Sequence, residues 1–218
     1  GASGSGCGKT TFTCGLLRAL GDAGEKPVSF KCGPDYIDPM FHTEVLNVPS
    51  RNLDLFFAEE NTVRYLMAKH GAQGSLAVVE GVMGYYDGLA GISAEASSWD
   101  LAGATGTPAV LLLDGRGKSV SLLAEIKGFL ELEKKSHIQG VILNRISGML
   151  YPELKTMIET KLPVRVYGYL PKMEDCSLES RHLGLVTAKE VRDLQAIIGR
   201  LANQIKKTVD LAGLMELA

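Results

Sequence analysis

A chain of 218 residues that is 45% hydrophobic is long enough to bury the core of one α/β domain and too short for two of ordinary size. Its 23 Lys and Arg are interspersed among 25 Asp and Glu for a net charge of −2, which argues against a nucleic-acid footprint or an anionic membrane surface and points to a small-molecule partner. No apolar run approaches the ~20 residues of a bilayer span, no signal peptide is visible, and Cys7, Cys14, Cys32 and Cys176 form no C-x-x-C pair, as expected of reduced thiols in a cytoplasmic protein.

The chain opens on Gly1-Ala-Ser-Gly-Ser-Gly-Cys-Gly-Lys-Thr-Thr11, a glycine-dense turn that runs into a helix marked by Phe12, Leu16 and Leu20. Gly8-Lys9-Thr10 has the order of a nucleotide-binding P-loop. Backbone N–H groups around Gly4, Gly6, Cys7 and Gly8 are expected to cradle phosphate oxygens, with Thr11 following in the helix. Lys9 brings a charge to the β/γ-phosphates and the Thr10 hydroxyl is a ligand for Mg²⁺. Ser3 stands where the first glycine of the strict pattern belongs. Because such a loop ordinarily follows a buried strand, residues upstream of Gly1 are expected.

Further along, Pro27–Cys32, Leu76–Glu80, Ala109–Asp114, Gly140–Asn144 and Val164–Tyr169 read as strands, mostly continuous apolar runs of the kind buried on both faces of a parallel sheet. Helical patterns fill the intervals over Glu59–His70, Ala96–Thr105, Ser119–Leu132 and Tyr151–Leu162. Thr187-Ala-Lys-Glu190 reads as a capping box for a last helix whose stripe of Val191, Leu194, Ile198, Leu201 and Ile205 is expected in the core. The chain stops at Leu214–Ala218, shortly after that helix. This alternation predicts a doubly wound, mostly parallel sheet with helices on both faces, and ligands gather at the carboxyl ends of such strands.

Lys31, Glu80, Asp114 and Asn144 stand at those ends. Lys31 opens Lys-Cys-Gly-Pro-Asp-Tyr-Ile-Asp-Pro-Met-Phe-His42, where Asp35 and Asp38 suit Mg²⁺ ligation or orientation of a nucleophile, or else turn chemistry beside prolines. Lys31 itself suits neutralising a transferring phosphoryl group or an acid substrate. His42 is read equally as a site residue or as scaffold. Glu80 is assigned to the metal, being the acidic strand end that P-loop proteins supply. Asp87, in Glu80-Gly-Val-Met-Gly-Tyr-Tyr-Asp-Gly88, is assigned to substrate or loop structure. Asp114 is a second candidate for the metal shell or for orienting Arg116, and Asn144 is one for the nucleotide base or a plain strand exit.

Gly4 occupies the position at which dimerising partition ATPases carry a lysine, and Asn144-Arg-Ile-Ser147 is not the N-K-x-D of GTPases. Instead G-S-G-C-G-K-T-T, F-K-C-G-P-D-Y-I-D-P with His42, P-S-R-N-L-D at 49–54, E-G-V-M-G-Y-Y-D-G, V-I-L-N-R, Y-L-P-K and S-R-H-L-G-L at 180–185 together resemble the cobyrinic acid a,c-diamide synthase family, whose scaffold is shared with dethiobiotin synthetase. The resemblance covers nearly the whole chain. It implies an amide ligase of corrinoid biosynthesis in which ATP phosphorylates the a and c acetates of a tetrapyrrole acid and ammonia displaces phosphate. It implies a metal shell of Thr10, an aspartate of the D-Y-I-D segment (Asp35) and Glu80, with Lys9 and Lys31 flanking the phosphoryl group, Asp35, Asp38 and Asp87 in the catalytic constellation, and Asn144 on adenine. Tyr36, His42, Arg51, Arg181 and His182 are candidates for the substrate. Family members add a glutaminase domain that makes ammonia. Residues 1–218 are accordingly expected to be the synthetase domain of a longer protein, able to use free ammonia but not glutamine, with a homodimer left open. Nickel-sirohydrochlorin and hydrogenobyrinic acid are alternative substrates, and a nucleotide-sensing regulatory domain is the alternative of a different class.

Overall fold

The computed structural model describes residues 1–176 and 188–218. Six strands are described, and all strand pairings are parallel. β1 (Pro27–Cys32) lies between β2 (Ser50–Leu53) and β3 (Leu76–Glu80), and β5 (Ile138–Asn144) lies between β4 (Ala109–Asp114) and β6 (Arg165–Leu170). Gly1–Ser3 run along β4, with Ala2 bridged to Leu112 and the Ser3 amide on the Leu112 carbonyl. Between β3 and β4 is a cavity of about 610 Å³, lined by Ala77, Val79, Val110 and Leu112 among others. That gap explains why Leu76–Val79 are only half-buried although their sequence reads as a core strand.

Helices connect the strands: α1 (Lys9–Asp22), α2 (Ile37–Leu46), α3 (Glu60–Gly71), α4 (Ser98–Thr105), α5 (Ser121–Glu131), α6 (Tyr151–Lys161), α7 (Ala188–Thr208) and α8 (Leu211–Leu217). Their division between two faces follows from strand periodicity, since successive side chains point to opposite sides. On β4, Leu111 and Leu113 pack with Leu122 and Ile126 of α5 and Leu154 and Ile158 of α6. Leu112, between them, packs with Phe12 of α1 and Ala202 and Ile205 of α7. β5 repeats the alternation, with Val141 and Leu143 on the α5/α6 side and Ile142 on the other. Each strand therefore needs apolar residues at consecutive positions, which is how these runs read in sequence.

The expected doubly wound parallel architecture is what the chain adopts, in two three-stranded halves. Of the stripe on α7, Ile198, Leu201 and Ile205 are buried as expected, whereas Val191 and Leu194 are half-buried; the capping box that begins at Thr187 lies outside the described residues. Three elements escaped the sequence reading. β2 is a four-residue strand of Ser-Arg-Asn-Leu, paired among the described residues with β1 alone, where half-exposure admits polar residues. α2 has Pro39 in its first turn, where proline is tolerated, and its dense polar residues masked the helix period. α8 is a short helix capped by Asp210 through the Gly213 amide. No helix among the described residues is long and apolar enough to cross a membrane.

At the amino end of α8 the chain crosses β6 closely. Gly168 has φ +148° and forms an antiparallel bridge with Val209, and a Cβ there would lie 2.3 Å from the Thr208 carbonyl oxygen. Backbone cannot yield as a flexible side chain can, so Gly168→Ala is expected to cost about 2–4 kcal/mol by urea denaturation. A loss below about 0.5 kcal/mol would show that the crossing relaxes freely.

Candidate active site

α1 begins directly after Gly8, whose φ of +91° turns the chain into the helix without a side-chain cap. The first amides of a helix have no intrahelical partner and carry the positive end of its dipole, which makes this end an anion site. Lys9 folds back over the loop, its Nζ donating to the Gly4 carbonyl at 3.0 Å and to the Met83 carbonyl at 2.5 Å. Burial lowers its pKa from the ordinary lysine value. Ser3, at the position of the missing glycine, has its Oγ 3.5 Å from Cys7 Sγ, inside the loop.

The loop is braced from β5. Asn144 Nδ2 donates to the Cys7 carbonyl at 2.8 Å, its Oδ1 accepts from the Arg145 amide, and a Cβ on Gly8 would lie 2.6 Å from that Nδ2. The side chain expected to reach adenine is thus engaged beneath the phosphate loop. Arg145 reaches the Gly6 carbonyl at 3.2 Å and Asp114 at 2.7 Å, while Asp114 also holds Arg116. Of the two roles read for Asp114, the geometry favours orienting these arginines. Cys7, Cys14, Cys32 and Cys176 are all buried, and none is in a disulfide among the described residues.

Register brings the charged core together: Lys31 on β1 pairs with Glu80 on β3, so both side chains emerge at adjacent carboxyl ends. Lys31 Nζ donates to Glu80 Oε1 at 2.9 Å and to Asp38 Oδ2 at 2.5 Å, and Thr10 Oγ1 donates to Glu80 Oε1 at 2.6 Å and lies 3.4 Å from Asp38 Oδ2. Lys31, Asp38 and Glu80 are 4%, 1% and 2% exposed, so these charges stand in a medium where each needs its partner. Burial raises the Glu80 pKa above the ordinary carboxylate range, against the pull of Lys31. For Lys31, burial works downward but Glu80 and Asp38 outweigh it, and the ammonium is held above its ordinary value. Two carboxylates thus share one ammonium.

The distances favour Asp38 over Asp35 for the metal shell. Asp35 is about a third exposed, its Oδ1 accepts the Ile37 amide at the start of α2, and its Oδ2 is 4.0 Å from Lys31. Helix α2 explains the difference, because its first turn points Asp38 inward while Asp35 precedes it. Asp87 lies in the loop after β3, its Oδ2 accepting the Gly84 amide at 2.8 Å and its charge acting on Lys9. Tyr36 is 67% exposed at the mouth beside Asp35. Arg51 is exposed on β2 and donates to the Ser50 carbonyl. Arg181 and His182 lie outside the described residues.

His42 is corrected from a substrate candidate. It is fully buried one helical turn beyond Asp38, with Nδ1 2.9 Å from Ser29 Oγ and Nε2 3.6 Å from Glu80 Oε2. Burial pushes its pKa down to about 4, so the ring is neutral at pH 7. Ser29 was missed in sequence; its only signal is a hydroxyl in the middle of a buried strand.

Among the described residues no three His, Cys, Asp or Glu side chains gather as a metal-holding group. The donors present are hard oxygens, two carboxylates and a hydroxyl. They fit Mg²⁺, which commonly takes one or two carboxylates and completes its octahedron with water and phosphate.

Residues 2–186 match the CobQ/CobB/MinD/ParA nucleotide binding domain family, CbiA. A cobyrinate a,c-diamide synthase of Clostridium tetani (strain Massachusetts / E88) is 42% identical over 213 residues, covering 98% of this chain and 48% of that protein. One of Salmonella typhimurium (strain LT2) is 40% identical over 217 residues, covering 99% and 47%. The chain thus spans about half the length of the curated relatives it matches. Among solved structures, the MinC:MinD cell division protein complex of Aquifex aeolicus superposes with a TM-score of 0.58 at 14% identity, covering 99% of this chain and 94% of that one. The septum site-determining protein MinD complexed with Mg-ADP, from Pyrococcus horikoshii OT3, superposes with a TM-score of 0.53 at 18% identity, covering 98% and 96%. At these identities the likeness is one of fold.

Removing the shared ammonium leaves Asp38 and Glu80 facing each other without it. Lys31→Met is therefore expected to cost about 3–5 kcal/mol in urea denaturation, and Lys31→Met with Asp38→Asn less than the sum of the single changes. Additive losses would mean that the three groups do not act as a unit.

Proposed function

We propose that this chain, which belongs to the CobQ/CobB/MinD/ParA nucleotide binding domain family, is an ATP-dependent amide ligase that activates the a and c acetate carboxylates of cobyrinic acid for amidation. The observation that carries the reading is 42% identity across 98% of the chain to a cobyrinate a,c-diamide synthase, and the Lys31–Asp38–Glu80 cluster beside the phosphate loop supplies the chemistry.

A free carboxylate does not react with ammonia and needs a leaving group. Its oxygen attacks the terminal phosphorus of ATP and ADP departs; ammonia then attacks the acyl carbon, phosphate leaves and the nitrogen loses a proton to solvent. The first step joins two anions, and the repulsion is what the site has to reduce. Lys9 exchanges its two carbonyl partners for phosphate oxygens. Lys31 neutralises charge on the group in transfer, and the amino end of α1 adds its dipole. Thr10, Asp38 and Glu80 are the residues that would hold Mg²⁺, which supplies Lewis-acid polarisation of the phosphates when bound. Gly4, Gly6, Cys7, Gly8 and Thr11 line the phosphate cradle. Tyr36, exposed at the mouth, remains a substrate contact, and Arg51, Arg181 and His182 remain candidates for the peripheral carboxylates.

The ammonia would normally come from glutamine through a glutaminase domain of a longer protein, a reading supported by the chain's spanning about half of its curated relatives. A cytoplasmic setting belongs to the same reading.

Phosphate release from Mg-ATP and ammonium chloride, with and without cobyrinic acid, followed by mass spectrometry, tests the proposal. ADP formation in step with product that gains one or two amides is expected, with ammonium but not with glutamine. Hydrolysis indifferent to the corrinoid and no mass change would sink it in favour of another tetrapyrrole acid or a sensor. Lys9→Ala is expected to lower turnover by at least ~10²-fold while leaving the unfolding midpoint nearly unchanged.

A further inference from the structure

Glu80 has one oxygen accounted for and one not. Oε1 accepts Thr10 and Lys31, whereas Oε2 is buried with no hydrogen-bond partner among the described residues. The atom facing it at 3.6 Å is His42 Nε2, which is likewise buried and without a hydrogen-bond partner among the described residues. Leaving a buried polar group unsatisfied costs on the order of 1–3 kcal/mol, so two such atoms of complementary chemistry side by side call for an explanation.

The other end of the imidazole provides it. Nδ1 is 2.9 Å from the hydroxyl of Ser29, which is 1% exposed and two residues before Lys31 on β1, hence on the same face of the sheet. A neutral imidazole carries one N–H, and a serine hydroxyl has one proton to give. With that proton donated to Nδ1, the ring proton stands on Nε2, directed at Glu80 Oε2. In the other tautomer a ring lone pair would oppose the carboxylate lone pairs.

We infer that His42 is a positioning residue for Glu80, holding Oε2 through a Ser29–His42–Glu80 relay of hydrogen bonds so that Oε1 stays on the Thr10 side of the site. The present separation is longer than a formed hydrogen bond, and a small swing of the carboxylate closes it. Carboxylates that bind cations are commonly oriented this way, the outer partner fixing which oxygen faces the ion. The inference rests on the reading of Glu80 as a cation ligand.

The test is Mn²⁺ binding to this chain in the presence of ADP, followed by electron paramagnetic resonance, beside ADP binding without metal. His42→Leu is expected to weaken Mn²⁺ affinity roughly 10–100-fold while metal-free ADP affinity stays the same. His42→Gln, whose amide N–H can stand in for Nε2–H, is expected to remain within about threefold of wild type. A purely structural histidine would lower the unfolding midpoint without separating Gln from Leu in metal affinity. If His42→Leu does not fold, Ser29→Ala removes the proton that sets the tautomer and is expected to weaken Mn²⁺ binding about three- to tenfold. Wild-type affinity in His42→Leu or Ser29→Ala, or a Gln variant as weak as Leu, overturns the inference. A wild-type chain that binds no Mn²⁺ removes the cation reading of Glu80, and the inference with it.

Discussion

Two carboxylates, Asp38 and Glu80, share the ammonium of Lys31 in a place almost wholly removed from water. A buried charge without its partner is costly, so the three positions constrain one another. Asp38 must come from the first turn of α2, Lys31 and Glu80 from paired residues of β1 and β3, and Thr10 from the helix that follows the phosphate loop. Four elements spread over residues 10 to 80 are thereby tied to one point at the carboxyl ends of the strands.

The phosphate loop is held by a second, less polar set of ties. Asn144 and Arg145 reach it from β5 through the carbonyls of Cys7 and Gly6, and Lys9 occupies the carbonyls of Gly4 and Met83. Using carbonyls as partners keeps the loop shaped while leaving its amides for an anion. Met83 adopts φ +43°, uncommon for a residue with a side chain, at the position where its carbonyl meets Lys9. Backbone geometry of this kind persists only where its surroundings impose it, and here the loop after β3 is drawn toward the phosphate site.

The comparisons separate fold from chemistry. MinD proteins share the architecture at 14–18% identity, yet Gly4 stands where dimerising partition ATPases carry a lysine. In α2, Asp38 and His42 sit one turn apart, and both reach toward the carboxyl ends of β1 and β3. A fold does not carry a function by itself; that lies with local residues of the site.

The phosphate loop, the parallel strands over Pro27–Cys32, Leu76–Glu80 and Ala109–Asp114, and the strand-end positions of Lys31 and Glu80 were legible in the sequence. Glycine density, consecutive apolar residues and a charge closing an apolar run are local signals of backbone freedom, two-sided burial and a functional edge. Whether Asp35 or Asp38 enters the cluster was not legible, since both sit beside a proline in one segment and only the start of α2 turns one inward and leaves the other at the mouth. The burial of His42, its partnership with Ser29 and the engagement of Asn144 under the loop were equally beyond the sequence. Each depends on contact between segments that are 13 to 137 residues apart. Sequence by itself determined the kinds of chemical groups and the strand ends that carry them; tertiary structure decided which of those groups meet, because burial leaves room only for partners that satisfy one another.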